Sequence, residues 1–181
     1  MINYDLQTVV EIDGKVYPIN KKGDYRVILD ILSALNDEEL SERQKAEVAL
    51  NLFYDFNVPD DRQTAIDEMM KFINMGEKPE ENNDPSVMDW EQDFNLYVPP
   101  LNKALGIEIR AVPLHWWAFL GGYMEIDGKS TFANVIQIRQ KLQKGKKLDE
   151  AEKEFYRENR KLVDLKNRLS KADEEWLLGG D

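Results

Sequence analysis

The chain has no cysteine and one histidine, His115, in 181 residues. The first absence excludes disulfides, thiol nucleophiles and thiolate zinc sites. The second excludes a metal centre built from several histidines of one chain. Basic residues are also in deficit, with 24 Lys+Arg against 35 Asp+Glu and a net charge of −11. Binding of nucleic acid without sequence preference depends on Lys and Arg neutralising phosphates, so the balance argues against that class. No apolar run approaches the ~20 residues that a membrane helix needs. The first residues, Met1 to Gln7, have neither the basic nor the apolar region of a signal peptide. The expectation is a protein of the cytoplasm that binds no nucleic acid, membrane, metal or cofactor.

What is present suits a folded chain. Four Trp, seven Tyr and seven Phe are too many large apolar groups for a disordered one. A chain of this size buries roughly 70% of its unfolded surface, and its length fits one domain or two small ones. The charge is segregated. Residues 137–168 hold 11 Lys/Arg against 6 Asp/Glu, whereas residues 77–93 hold 7 acids and one Lys. Such patches serve as solvated faces, or they allow head-to-tail self-association.

Periodicity predicts a mainly α fold. Its parts are a helical domain, a small N-terminal β-hairpin and a long C-terminal amphipathic helix. In the hairpin, Val9-Val10-Glu11-Ile12 and Lys15-Val16-Tyr17 flank Asp13-Gly14, a dipeptide suited to a type I′ turn. Tyr25, Ile28, Leu29 and Leu32 share one helical face, and Asn36-Asp37 ends it. Ala46, Leu50 and Phe53 mark a second helix, capped by Ser41 and stopped by Pro59. Ile66, Met69, Met70 and Ile73 mark a third, with Gly76 as its C-cap. These elements fill residues 1–76, and an acidic, proline-bearing linker is expected over 77–88.

Residues 89–145 read as an aromatic helical lobe. Asp89 and Gln92 fit a capping box, and Trp90, Phe94, Tyr97, Leu101 and Leu105 continue the face. Pro99-Pro100 either breaks that helix near Val98 or kinks it. Pro113 suits the first turn of a short helix, Leu114 to Met124. Phe132, Val135, Ile136 and Leu142 predict a helix up to Gly145. Residues 146–181 carry Leu148, Ala151, Phe155, Leu162, Leu165, Leu169, Ala172 and Trp176 on a 3-4 spacing that only Glu158 interrupts. That is a heptad seam, able to lie on its own domain or to pair with another chain. Phe155, Leu162, Leu165, Leu169 and Trp176 are therefore the candidate partner-binding residues. A second capping box at Ser170-Lys171-Ala172-Asp173 would divide the helix.

No catalytic constellation emerges. His115 lies between Leu114 and two tryptophans, no G-x-S-x-G elbow exists, and packing is the expected role of the ring. Gly128-Lys129-Ser130 imitates a phosphate loop, but Gly122 and Gly128 enclose five residues where the motif needs four. Asp89 and Asp93 share a helical face as a conceivable carboxylate pair, for which a solvated helix start is the simpler account. A hydrolase joining Asp89, Asp93 and His115 through a metal is the weakest reading.

One ordered set carries more information. It runs from Asp89-Trp90-Glu91-Gln92-Asp93 through Tyr97, Leu105-Gly106-Ile107 and Leu114-His115-Trp116-Trp117-Ala118-Phe119-Leu120 to Ile136-Gln137-Ile138-Arg139. It resembles the bacteriophage gene-product-fifteen family, from tail-morphogenesis regions of long-tailed phages and prophages of Gram-positive bacteria. The likeness is carried best over residues 85–142, with Trp90, Asp93, His115, Trp116, Trp117 and Arg139 as its signature. Pro99-Pro100 departs from the family's alanine-like residues. The resemblance implies a non-enzymatic tail assembly chaperone that binds the tape-measure protein and itself, with the tail-tube protein as a further candidate partner. A structural tail or connector protein of the virion is the alternative.

Overall fold

The computed structural model describes residues 5–78 and 86–166. The chain divides into two compact units. One takes residues 5–78 and then Leu105–Glu125; the other takes 86–104 and 126–166. The architecture is mainly helical with one two-stranded antiparallel sheet, as the periodicities predict. Among the described residues, no helix is long and apolar enough to cross a membrane.

The first unit opens with the hairpin, β1 (Val9–Ile12) and β2 (Lys15–Pro18), in the register Val10 opposite Tyr17. Asp13 at φ 51° and Gly14 at φ 73° form the primed turn expected of that dipeptide. Val10 and Ile12 face inward. Three helices of similar length follow: α1 (Tyr25–Asn36), α2 (Glu42–Phe53) and α3 (Arg62–Ile73). Each starts on a side-chain cap, from Asp24, Ser41 and Asp61 respectively, which satisfies a backbone N–H that the helix leaves unpaired. The Ser41 cap is a full capping box with Gln44.

Two details differ from the periodicity. α1 buries Tyr25 and Ile28 as expected, but its other buried residues are Val27 and Ile31 rather than Leu29 and Leu32. At the end of α3, Met75 supplies the left-handed residue at φ 58°, and Gly76 follows it. The N–H groups of Gly76 and Met75 donate to the carbonyls of Lys71 (2.8 Å) and Phe72 (3.1 Å), the two-bond ending in which the left-handed position precedes the last donor.

The second unit holds α4 (Phe94–Leu105), whose last residue belongs to the first unit, and then α6 (Thr131–Gln143), α7 (Glu150–Glu158) and α8 (Arg160–Val163); α5 (Trp116–Met124) lies in the first. The aromatic lobe expected over 89–145 is therefore two structures. Residues 105–125 leave it, because their backbone and indoles bond to the first unit.

The proline pair does not break α4, which runs through Pro99 and Pro100. The N–H groups these prolines lack would have faced Asn95 and Leu96, and Asn95 and Pro99 lie on the exposed side of the helix. Tyr97 anchors its inner side, edge-on to Trp90, Phe94 and Phe132 at 5.6–5.9 Å.

The C-terminal seam is not one helix within the described residues. α7 stops at Asn159 (φ −117°, ψ 28°), and the four-residue α8 restarts out of phase. The residue buried there is consequently Val163, one place off the predicted seam, whereas Leu162 is 41% exposed. Leu169, Trp176 and the Ser170–Asp173 cap lie outside the described residues.

Candidate functional site

His115, Trp116 and Trp117 form one constellation in the first unit. Asp24 and His115 face each other across an antiparallel bridge. Tyr25 N–H donates to the Leu114 carbonyl (2.9 Å) and Trp116 N–H to the Gly23 carbonyl (2.7 Å). Only glycine fits at 23: its φ is +77°, and a Cβ there would stand 2.6 Å from Phe72 Cζ. α5 starts at Trp116 rather than at Leu114, because His115 is its N-cap. The Nδ1 of His115 accepts from Trp117 N–H (3.1 Å), so Nε2 carries the proton and donates to the Gln7 carbonyl (2.9 Å). The imidazole was expected to be a packed ring. It packs against Phe72 and Trp117, and it also ties the segment before β1 to the start of α5.

The adjacent indoles do parallel work. Trp116 Nε1 donates to the Ile73 carbonyl and Trp117 Nε1 to the Phe72 carbonyl, both at 2.8 Å. These are the last two carbonyls of α3, past the end of its regular hydrogen-bond ladder, and that of Phe72 also accepts Met75 N–H. Trp116 is 1% exposed and stacks on Phe119 at 5.3 Å, and Phe119 stacks on Tyr25 at 4.7 Å. Trp117 is half-buried and stacks on Phe72. α5 runs through Gly121-Gly122 to Met124, and a Cβ on Gly122 would meet the Leu105 side chain at 2.5 Å.

Asp93 and Arg139 form the second constellation, inside the second unit and only 2% and 5% exposed. Arg139 Nη1 and Nη2 donate to the two oxygens of Asp93 at 2.6 and 2.9 Å. Nε donates to the Val163 carbonyl (2.6 Å), Nη2 to that of Leu162 (2.6 Å) and Nη1 to that of Val87 (3.1 Å). All five guanidinium hydrogens thereby have acceptors, which a charge at this depth requires. Two of the acceptors are the last carbonyls of α8, where a cation is favoured by the helix dipole.

Asp93 is thus not half of a carboxylate pair with Asp89. Its Oδ2 also accepts Asp89 N–H (3.0 Å), while Asp89 Oδ1 accepts the N–H groups of Glu91 and Gln92. The capping box expected there is open on one side. Gln92 turns away to donate to the Asp164 carbonyl (2.8 Å) and to accept Lys166 N–H (2.9 Å). Asp89 and Asp93 belong to the second unit and His115 to the first, and among the described residues no three His, Asp or Glu side chains gather as metal ligands.

The family model of the Bacteriophage Gp15 protein matches residues 2–165. The chain belongs to the Bacteriophage Gp15 family. No curated protein and no solved structure matches it. The signature that suggested the family falls into two sets: Trp90, Asp93 and Arg139 in the second unit, and His115, Trp116 and Trp117 in the first. Trp90 lies edge-on to Tyr97 and accepts the Tyr97 hydroxyl at its carbonyl.

Of the candidate partner-binding residues, Phe155 packs against the buried cluster of Val135, Ile138 and Val163. Leu162 is exposed and Leu165 half-buried. Sequence reasoning missed Gly23, Asp24 and Val163, and gave Gln92 only the role of a cap partner. Gly23-Asp24 before a strong helical face is a legible cap, but nothing local ties it to Leu114 and Trp116, some 90 residues away in the sequence.

Proposed function

We propose that this protein is a phage tail assembly chaperone: a non-enzymatic factor of the host cytoplasm that binds the tape-measure protein, promotes assembly of the tail tube around it, and associates with itself. The observation that carries the reading is family membership over residues 2–165. The geometry supports its non-enzymatic half. The groups best suited to acid–base or charge chemistry, Asp93, His115 and Arg139, are each committed to holding backbone in place. The segregated charge of the chain and the exposed Leu162 suit a binding protein. Co-expression with the tape-measure protein of the same gene cluster tests it. The expected result is a soluble, co-purifying complex at low salt, and an insoluble client with no co-purification sinks the proposal. The alternative, a structural tail or connector protein, is separated by mass spectrometry of purified virions, where a chaperone is missing.

A further inference from the structure

The segment formed by α7 and α8 is held differently from the rest of its unit. α7 buries no residue, and α8 buries only Val163. Leu148, Phe155 and Tyr156 pack partly buried against Val135, Ile138 and Val163, and polar ties add to that contact. Arg139 takes the carbonyls of Leu162 and Val163, Gln92 takes the carbonyl of Asp164 and the N–H of Lys166, and Lys141 pairs with Glu152. The segment covers Val135 and Ile138, which are 0% and 1% exposed, with Leu96 beside them.

Lifting it uncovers that apolar pair. It also frees one edge of the Arg139 guanidinium, the Nε–Nη2 edge, while Asp93 and the Val87 carbonyl hold the remaining hydrogens in place. A planar fork fixed in this way is preset for two neighbouring oxygens. The end of a helix presents such a pair, since its last carbonyls lack intrahelical donors and carry the negative end of the dipole.

We infer that α7–α8 is a displaceable strap, and that the face beneath it receives the last turn of a partner's helix. An aliphatic side chain enters where Val163 sits, and two terminal carbonyls meet Arg139. α8 is the internal copy of that ligand. The partner's identity rests on the chaperone reading; the strap itself does not.

The absence of cysteine makes a clean test possible. Lys141→Cys and Glu152→Cys are introduced together in the full chain and joined by a short bis-thiosulfonate bridge that reductant releases. Native-state hydrogen exchange on the unmodified protein comes first. The amides of α7 and α8 are expected to exchange at least about tenfold faster than those around Val135 and Ile138. Exchange in step with α6 overturns the strap. Capture of the tape-measure protein is then expected to fall at least about tenfold in the bridged chain and to return on reduction, because closing the strap removes the competent population. Equal capture by both forms overturns the strap as a gate and leaves the chaperone reading intact. If neither form captures the tape-measure protein, the chaperone reading falls, and a labelled peptide of residues 148–166 decides the rest. Its binding to the released chain alone upholds the helix-end site, and its binding to neither form or to both overturns it.

Discussion

In the first unit the signature side chains are neutral donors and acceptors aimed at backbone. Two indoles take the last carbonyls of α3, and one imidazole takes an N–H and a carbonyl from segments more than 100 residues apart. In the second unit a charged fork, neutralised by one carboxylate, takes three carbonyls. Both devices fasten helix ends, but they fail differently. An aromatic that bonds through its rim also fills volume, so its removal costs packing first and a hydrogen bond second. An arginine in a buried pair fills less, and its removal strands a charge together with the acceptors it served. The comparison separates stabilisation by shape from stabilisation by compensation, and mutations can test the two halves independently.

The largest loss is expected for Trp116→Ala. Truncating a fully buried indole leaves a cavity beside Phe119 and an unpaired Ile73 carbonyl, and costs about 5 kcal/mol. Trp117→Ala at the half-buried neighbour costs about 2–3 kcal/mol by the same reasoning. Chemical denaturation measures both. If the two tryptophans are equivalent, shape is not what the first unit depends on. A variant that keeps full stability but loses client binding overturns the core assignment.

Arg139→Met is expected to cost about 4 kcal/mol, because Asp93 stays buried without its partner. Adding Asp93→Leu to it is expected to recover about half of that loss. Recovery is incomplete because the carbonyls of Val87, Leu162 and Val163 and the N–H of Asp89 remain without their partners. A double mutant as unstable as the single one contradicts compensation as the principle of the second unit. Denaturation of the two singles and the double closes the cycle.

These two devices also mark where the sequence stops being legible. The hairpin was readable from Asp13-Gly14, the second helix from its Ser41 cap and 3-4 spacing, and the third from its spacing, since a cap and an apolar face are short-range properties. Ser41 with Gln44 is the clearest case. By contrast, Asp93 and Arg139 lie 46 residues apart, and Asp89 offered a nearer, wrong companion for Asp93. The indole bonds span 43 and 45 residues, so Leu114 to Phe119 read as part of an aromatic lobe with its sequence neighbours, although its partners lie in α3. The heptad seam misled for a related reason. Spacing counts residues along one unbroken helix, and the break at Asn159 moves the buried position from Leu162 to Val163.

A smaller effect tests the neutral cap. His115→Ala removes the acceptor for Trp117 N–H and the donor to Gln7, at about 2 kcal/mol. His115→Asn is expected to regain about half, since an Asn side chain caps a helix well but is too short to reach the Gln7 carbonyl. Amide exchange at the start of α5 should return toward the wild-type rate in the Asn variant while residues 7–9 stay less protected. If the Asn variant restores both, the tie to Gln7 contributes nothing, and the imidazole acts only as a cap.

The smallest expected effect compares two ion pairs of the same type. Asp24 in the first unit is 3% exposed, but its partner Arg26 is 47% exposed, whereas both members of the Asp93–Arg139 pair are buried. Burial pushes the Asp24 carboxyl up, but bonds from the Arg26 side chain and N–H outweigh it and hold the group below its ordinary value. A lowered carboxyl stabilises the fold fully above about pH 4, where the unfolded chain would still hold its charge, and that contribution is lost as the pH falls through the lowered folded value. Because Arg26 is half in water, the pair is worth about 1 kcal/mol or less. Asp24→Asn should therefore cost little at pH 7, and the gap from wild type should close on acidification below about pH 4, as urea unfolding followed across pH would record. A gap of about 4 kcal/mol at pH 7 would make this pair the equal of Asp93–Arg139. Burial of both partners would then no longer explain why the second unit depends on charge and the first does not.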